Sequence, residues 1–315
     1  MKKKIIMGMG LLAGYAGACK GFLDFAIKRH SEKKAARKRK KDEKENGPSY
    51  GIYHDRVEEG RQWIKRSISE EWDITSKDGL KLHAYYLENP NPKGIFLLVH
   101  GYRASGFGDF ACSTKFYYEL GYHIVEIDQR SHGKSEGTYI GMGVLERLDV
   151  QAWIKVIDKR FEGKLSIYLA GVSMGASTVL MTSTLSLPKS VKGIIADCGF
   201  TSPADIFKHV MKLWMNLPPF PFLYGANLLS KWIAGYGFWD VVIPKEMERN
   251  QLPILFVHGG EDTFVPTWMG LENYQACRAP KRILIVDGAE HAMSYLVDTK
   301  RYQEAVIEFL EGGTK

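Results

Sequence analysis

Short apolar runs ending in turn residues recur along the chain: GIFLLVH (94–100), HIVEID (123–128), SIYLAG (166–171), VKGIIADC (191–198), ILFVHG (254–259) and RILIVDG (282–288). Runs of this length, nearly all apolar and closed by Gly, Asp, Cys or His, are the pattern of strands buried on both faces. Helical stretches separate them, at about 109–121, 143–160, 174–186, 267–277 and 298–312. Ahead of the series come a helix at 50–66 and two segments, 70–75 and 80–87, that alternate apolar and polar positions around Lys77-Asp78-Gly79, as an antiparallel hairpin does. This alternation predicts one doubly wound α/β domain with a mostly parallel sheet, opened by that hairpin. The span 201–250 breaks the rhythm. It is too long for a simple crossover and contains Trp214, Trp232, Trp239 and Pro218-Pro219-Phe220-Pro221, so it reads as a helical lid insertion.

Composition supports a folded body over 50–315: the chain has 315 residues, 45% of them hydrophobic. Cys19, Cys112, Cys198 and Cys277 are widely spaced, without a C-x-x-C pair, and no H-E-x-x-H spacing occurs. Neither a disulfide framework nor a metal site is expected, and no cofactor is implied. The net charge of +7 is local. Residues 1–45 hold fourteen Lys/Arg and five Asp/Glu, a net of +9, which leaves −2 for the rest. A near-neutral body without a basic stripe argues against a nucleic-acid partner.

Three lysines precede an uninterrupted apolar or small stretch, 5–19. Extended to residue 27 it is just long enough to span a bilayer, whereas the shorter stretch suits a signal-peptide core. Residues 1–27 are therefore expected to be a hydrophobic membrane anchor or signal-like segment, and 28–49 a basic linker. Ala16-Gly17-Ala18-Cys19 resembles a lipoprotein box that lacks the usual leucine, and cleavage there would give a secreted or surface-anchored protein. If the segment is retained, the ten Lys/Arg within 28–44 would keep the body on the cytoplasmic side and suit anionic lipid headgroups.

Candidate chemistry gathers where open parallel sheets place it, just beyond the carboxyl ends of strands. Ser173 lies in Gly171-Val172-Ser173-Met174-Gly175, between a strand-like and a helix-like run. Asp262 follows ILFVHGG and His291 follows RILIVDGAE. A serine hydroxyl is a poor nucleophile at neutral pH. It needs an imidazole to take its proton and a carboxylate to orient that imidazole. Asp197 and Glu261 are the other candidates for the acid. His100, His132 and His258 read as packing or turn residues beside glycine or at strand ends. Two amides would form an oxyanion hole: that of Met174, at the start of the following helix, and that of Tyr102 in His100-Gly101-Tyr102, with Arg103 the next candidate.

These residues resemble the α/β-hydrolase superfamily, in particular its bacterial esterase and serine-aminopeptidase-like branch, whose members often carry an amino-terminal hydrophobic anchor. The resemblance covers 69–312 and rests on LLVHGY (97–102), DQRSHGKSEG (128–137), GVSMGA (171–176), HGGEDTFVP (258–266) and Gly288 to His291. It implies a cofactor-free serine hydrolase that forms an acyl-enzyme, with catalytic roles on Ser173, Asp262 and His291. The 128–135 segment usually has glycine where this chain has Ser131. A carboxylic ester hydrolase is the expected function. A peptidase acting on short peptides and a non-catalytic, membrane-associated binding protein on a hydrolase fold are the alternatives. A peptidase would need an acidic anchor for its substrate's free amine.

Overall fold

The computed structural model describes residues 2–30, 50–216 and 218–312, leaving aside the side chains of residues 2–12, 214 and 215. Most of the expected basic linker, 31–49, lies outside the described residues.

The six apolar runs and the hairpin become one eight-stranded sheet: β1 Glu70–Thr75, β2 Lys81–Leu87, β3 Gly94–Val99, β4 Tyr122–Asp128, β5 Ser166–Val172, β6 Val191–Asp197, β7 Ile254–Gly259 and β8 Lys281–Val286. The spatial order is β1-β2-β4-β3-β5-β6-β7-β8. β1 and β2 pair antiparallel, as do β2 and β4, and from β4 to β8 every pairing is parallel. Every residue of β3, β4 and β7 is buried, which is why these strands read as continuous apolar runs rather than alternating ones.

Helices cover both faces. The longer ones are α1 Lys2–Ile27, α2 His54–Ser67, α3 Thr114–Glu119, α4 Glu146–Arg160, α5 Met174–Thr182, α6 Pro203–Val210, α7 Phe222–Ile233, α8 Thr267–Ala276 and α9 Thr299–Leu310. The helix expected at 109–121 is shorter, because a turn around Phe110 separates a single helical turn at Gly106–Asp109 from α3. The predicted lid contains α6, a π-helical turn at Met211–Met215, α7 and a short helix at Ile243–Met247. One large apolar cluster runs from the sheet into these elements and includes Phe207, Leu223 and Phe238.

The DQRSHGKSEG segment proves to be a structural clamp. The Arg130 guanidinium forks onto Asp149 of α4 at 2.6 and 2.7 Å and onto Asp78 of the hairpin turn at 2.9 and 3.0 Å. Ser131 has φ 64, the left-handed region where glycine is at ease, and its hydroxyl donates to the Tyr139 carbonyl at 2.8 Å.

The N-terminal helix departs from expectation. Among the described residues no helix is long and apolar enough to cross a membrane, so the spanning anchor is not supported. From Ala13 on, α1 instead lays one face on the body: Tyr15, Cys19, Phe22, Leu23 and Ala26 fall at three- and four-residue spacing, with Cys19, Leu23, Ala26 and Ile27 buried. It packs along α7, where a Cβ on Gly225 would stand 2.5 Å from the Tyr15 hydroxyl, and Tyr15 donates to the Pro221 carbonyl at 2.7 Å.

Candidate active site

β5 ends at Val172 and α5 starts at Met174, so Ser173 carries the whole reversal from strand to helix, with φ 57 and ψ −117. Such a conformation costs a non-glycine residue on the order of 1–3 kcal/mol and persists only where its surroundings hold it. They do so here through close approach. A Cβ on Gly171 would lie 2.3 Å from the Gly175 carbonyl oxygen, and one on Gly175 only 1.8 Å from that of Val99. The Ser173 amide donates to the Asp197 carbonyl at 2.8 Å.

The structure brings the three sequence-predicted residues together from three strand ends. His291 Nε2 is 2.9 Å from Ser173 Oγ, and His291 Nδ1 is 2.7 Å from Asp262 Oδ2. The other carboxylate oxygen of Asp262 accepts the Phe264 and Val265 amides at 3.0 and 2.9 Å. Burial works to raise the Asp262 pKa, but hydrogen bonds from His258 and His291 outweigh it and bring it down to about 2. An ionised Asp262 accepts from Nδ1–H and leaves Nε2 facing the serine as a proton acceptor.

The alternative acids are placed elsewhere. Asp197 receives the Ser294 hydroxyl at 3.3 Å, and burial pushes its pKa up to about 6. Glu261 is exposed and makes its contact through its amide, to the Ala289 carbonyl. His258 is a supporting residue: Nε2 lies 2.8 Å from the Val265 carbonyl and 3.5 Å from Asp262 Oδ2.

Side chains of Asp109, His100 and His132 hold the backbone of the loop after β3. Gly101 N–H donates to Asp109 at 2.6 Å. The Gln129 amide donates to His100 Nε2 at 3.1 Å, so His100 Nδ1 carries the proton and donates to the Gly101 carbonyl at 2.8 Å. The Arg103 amide donates to His132 Nε2 at 3.0 Å, so the other nitrogen of that ring donates to the Arg130 carbonyl at 2.9 Å. Burial drives the His132 pKa down to about 3, which keeps the ring neutral and able to accept. Arg103 N–H is thus committed. The Tyr102 amide donates to no acceptor among the described residues, and neither does that of Met174 in the first turn of α5, where helix amides are left over. Both residues line the cavity that opens at Ser173.

That cavity has a volume of about 490 Å³. Its walls are apolar: Met174 and Phe200 from the body, Ile206, Phe207 and Val210 from the expected lid, and Phe22, Phe25 and Ala26 from α1. The exposed Trp232 is not among them. Sequence reasoning missed Asp109, the role of His132, and α1. A lone aspartate 8 positions after a glycine carries no local signal, and α1 reads as a lipid-facing segment.

Cys198, Asp262 and His291 hold a thiol, a carboxylate oxygen and a ring nitrogen within 4.8 Å of one another, the spacing of a metal ligand set. Burial raises the Cys198 thiol well above its ordinary pKa, so it keeps its proton, and Asp262 and His291 are engaged with each other. The set does not fit a metal.

A family described as serine aminopeptidase, S33, matches residues 90–234. By sequence the chain is similar to the protein YqkD of Bacillus subtilis (strain 168), 26% identical over 238 residues that span 76% of this chain and 78% of that one. It is also similar to the bifunctional esterase/perhydrolase DCH of Acinetobacter calcoaceticus, 23% identical over 235 residues, 61% of this chain and 83% of that one. Among solved structures, the esterase Pf2001 of Pyrococcus furiosus superposes with a TM-score of 0.64 at 23% identity, over 79% of this chain and 92% of that one. The chain has the α/β-hydrolase fold, with esterase-like relatives.

Proposed function

We propose that this α/β-hydrolase is a serine hydrolase of carboxylic esters. The observation that carries the reading is the unbroken relay of Asp262, His291 and Ser173, with contacts of 2.7 and 2.9 Å. Ser173 Oγ attacks the acyl carbon while His291 Nε2 takes its proton. The Met174 and Tyr102 amides receive the charge that develops on the carbonyl oxygen, where one such donor is worth about 10²–10³ in kcat. As the tetrahedral intermediate collapses, His291 protonates the departing alcohol. Water, deprotonated by the same ring, then cleaves the acyl-enzyme and releases the acid.

The serine-aminopeptidase match favours a second reading, cleavage of short peptides. Holding a free amine calls for a carboxylate beside the serine. The residues lining the cavity include one charged side chain, the cation Arg103, and are otherwise apolar or hydroxylated. That lining favours an uncharged ester.

A fluorophosphonate probe followed by nitrophenyl esters and aminoacyl nitroanilides separates the readings. Ester turnover and labelling that disappear in Ser173→Ala are expected. Equal labelling of wild type and Ser173→Ala would overturn the nucleophile, and faster anilide turnover would favour the peptidase.

We further propose that the protein sits at a membrane surface with its body on the cytoplasmic side. The basic run 28–44 supports this, and so do exposed Phe25 on α1 and Tyr224, Leu228 and Trp232 along one face of α7. Sedimentation with phosphatidylglycerol vesicles but not with phosphatidylcholine ones is the expected result. Protease digestion of the body from outside intact cells would refute the topology.

A further inference from the structure

The last turn of α1 is capped by the body rather than by itself. Arg103 Nη2 donates to the Phe25 carbonyl at 2.6 Å and lies 3.4 Å from that of Lys28. The Tyr102 hydroxyl donates to the Ala26 carbonyl at 2.5 Å, and the Ile140 amide to that of Ile27 at 2.7 Å. The Arg29 amide, free to turn away from the helix, donates to the Thr138 carbonyl at 2.8 Å. Helix-end carbonyls need such partners, and a cation at this end also suits the helix dipole. Two of the donors, Tyr102 and Arg103, belong to the loop whose amide faces Ser173. The seating of α1 and the geometry of that loop are therefore set by shared bonds.

From this anchored end α1 turns three side chains toward the cavity. Phe22 meets Phe207 of α6 edge to face, ring centroids 5.9 Å apart, so the two helices close one end of the space. Ala26, 5% exposed, lines the cavity, and Phe25 stands half-exposed at its rim. A space of about 490 Å³ lies within the roughly 300–1,000 Å³ of small-molecule sites, and its lining suits a flexible hydrocarbon.

Resting on the ester-hydrolase reading, we propose that α1 is a specificity element of the active site. Phe22 and Ala26 form the wall against which the aliphatic acyl chain of the ester lies, and the volume they leave sets the chain length accepted. Ala26 leaves space because it is small, and Phe22 takes up space because it is large. Substitutions at the two positions should therefore move the preference in opposite directions, which loss of structure would not do.

The test uses the full chain, nitrophenyl esters from acetate to palmitate, and equilibrium binding of the product acid decanoate. Ala26→Leu is expected to lower kcat/KM for decanoate relative to butyrate esters at least tenfold, and Phe22→Ala to shift the optimum to longer acyl groups. Decanoate affinity for Ser173→Ala, which needs no chemistry, should fall at least tenfold when Ala26→Leu is added. Unchanged chain-length profiles together with unchanged decanoate affinity would overturn the proposal, while serine-dependent labelling would leave the ester-hydrolase reading standing. If labelling did not depend on Ser173, that reading would fail, and decanoate affinity would still decide the wall.

Discussion

Asp109 accepts the Gly101 amide at 2.6 Å, and the same carboxylate oxygen would lie 3.0 Å from a Cβ placed on Gly101, a position 3.2 Å from the Ser173 Cβ. The carboxylate thus holds the loop that carries Tyr102 close to the serine. Burial raises the Asp109 pKa, opposed by the Gly101 bond and by nearby His100 and His291. Asp109→Ala is expected to lower kcat about ten- to hundredfold with little change in KM, since a displaced oxyanion donor weakens the transition state more than the ground state. Asp109→Asn keeps an acceptor for the amide and should recover most of the loss. A rise in KM at constant kcat would show that Asp109 does not position this loop.

Asp262→Asn should be far more damaging than Asp197→Asn. The first leaves His291 without the acceptor that fixes its tautomer, for which a loss of about 10⁴ in kcat is typical. The second alters a side chain that faces Ser294, while the backbone carbonyl that holds Ser173 is untouched. Initial rates on nitrophenyl butyrate measure both. Comparable losses would return Asp197 to candidacy as the acid.

The strands were legible because burial on both faces writes a nearly continuous apolar run, as in β3, β4 and β7. Ser173, Asp262 and His291 were legible as candidates because each comes within a few residues of the carboxyl end of an apolar strand. Asp109 was not, since its meaning depends on the single helical turn Gly106–Asp109, which brings its carboxylate back onto the Gly101 amide. The seat of α1 on the body was not legible for a physical reason: the uninterrupted apolar or small run 5–19 suits a bilayer, a signal-recognition groove or a protein surface equally. The contacts of α1 with the body include the carbonyl caps from Tyr102 and Arg103, 76 and 78 residues away.

Arg130→Leu tests the clamp of the DQRSHGKSEG segment. The guanidinium is 5% exposed and holds the equally buried Asp149 with two bonds, so its removal strands a buried carboxylate. Breaking one side of such a pair costs about 3–5 kcal/mol, while replacing both partners with apolar residues costs much less. Urea denaturation of Arg130→Leu, of Asp149→Leu and of the double variant should show partial recovery in the double. Strict additivity of the two losses would argue that the pair is not coupled.

Glu126 predicts a pH-dependent stability with a definite sign. It is 1% exposed on β4, and Oε2 has no partner among the described residues. Burial, with a smaller contribution from Asp128, pushes its pKa up to about 7. Thr114 Oγ1 stands 2.6 Å from Glu126 Oε1 and 2.8 Å from the Phe110 carbonyl. One hydroxyl proton cannot serve both, and a protonated carboxyl supplies the second. With a folded pKa above the ordinary carboxylate value, the folded state binds the extra proton, so the stabilisation is complete below about pH 4.3 and is lost as pH rises through 7. The span from 4.5 to about 7 corresponds to about 3 kcal/mol at alkaline pH. Glu126→Gln removes the titration and keeps an oxygen for Thr114. Glu146, also pushed up to about 7 by burial, is common to both proteins and cancels in the difference. Urea midpoints between pH 5 and 8 should therefore fall more steeply for wild type than for Glu126→Gln. Parallel midpoint curves would mean that Glu126 is ionised in the folded protein throughout this range.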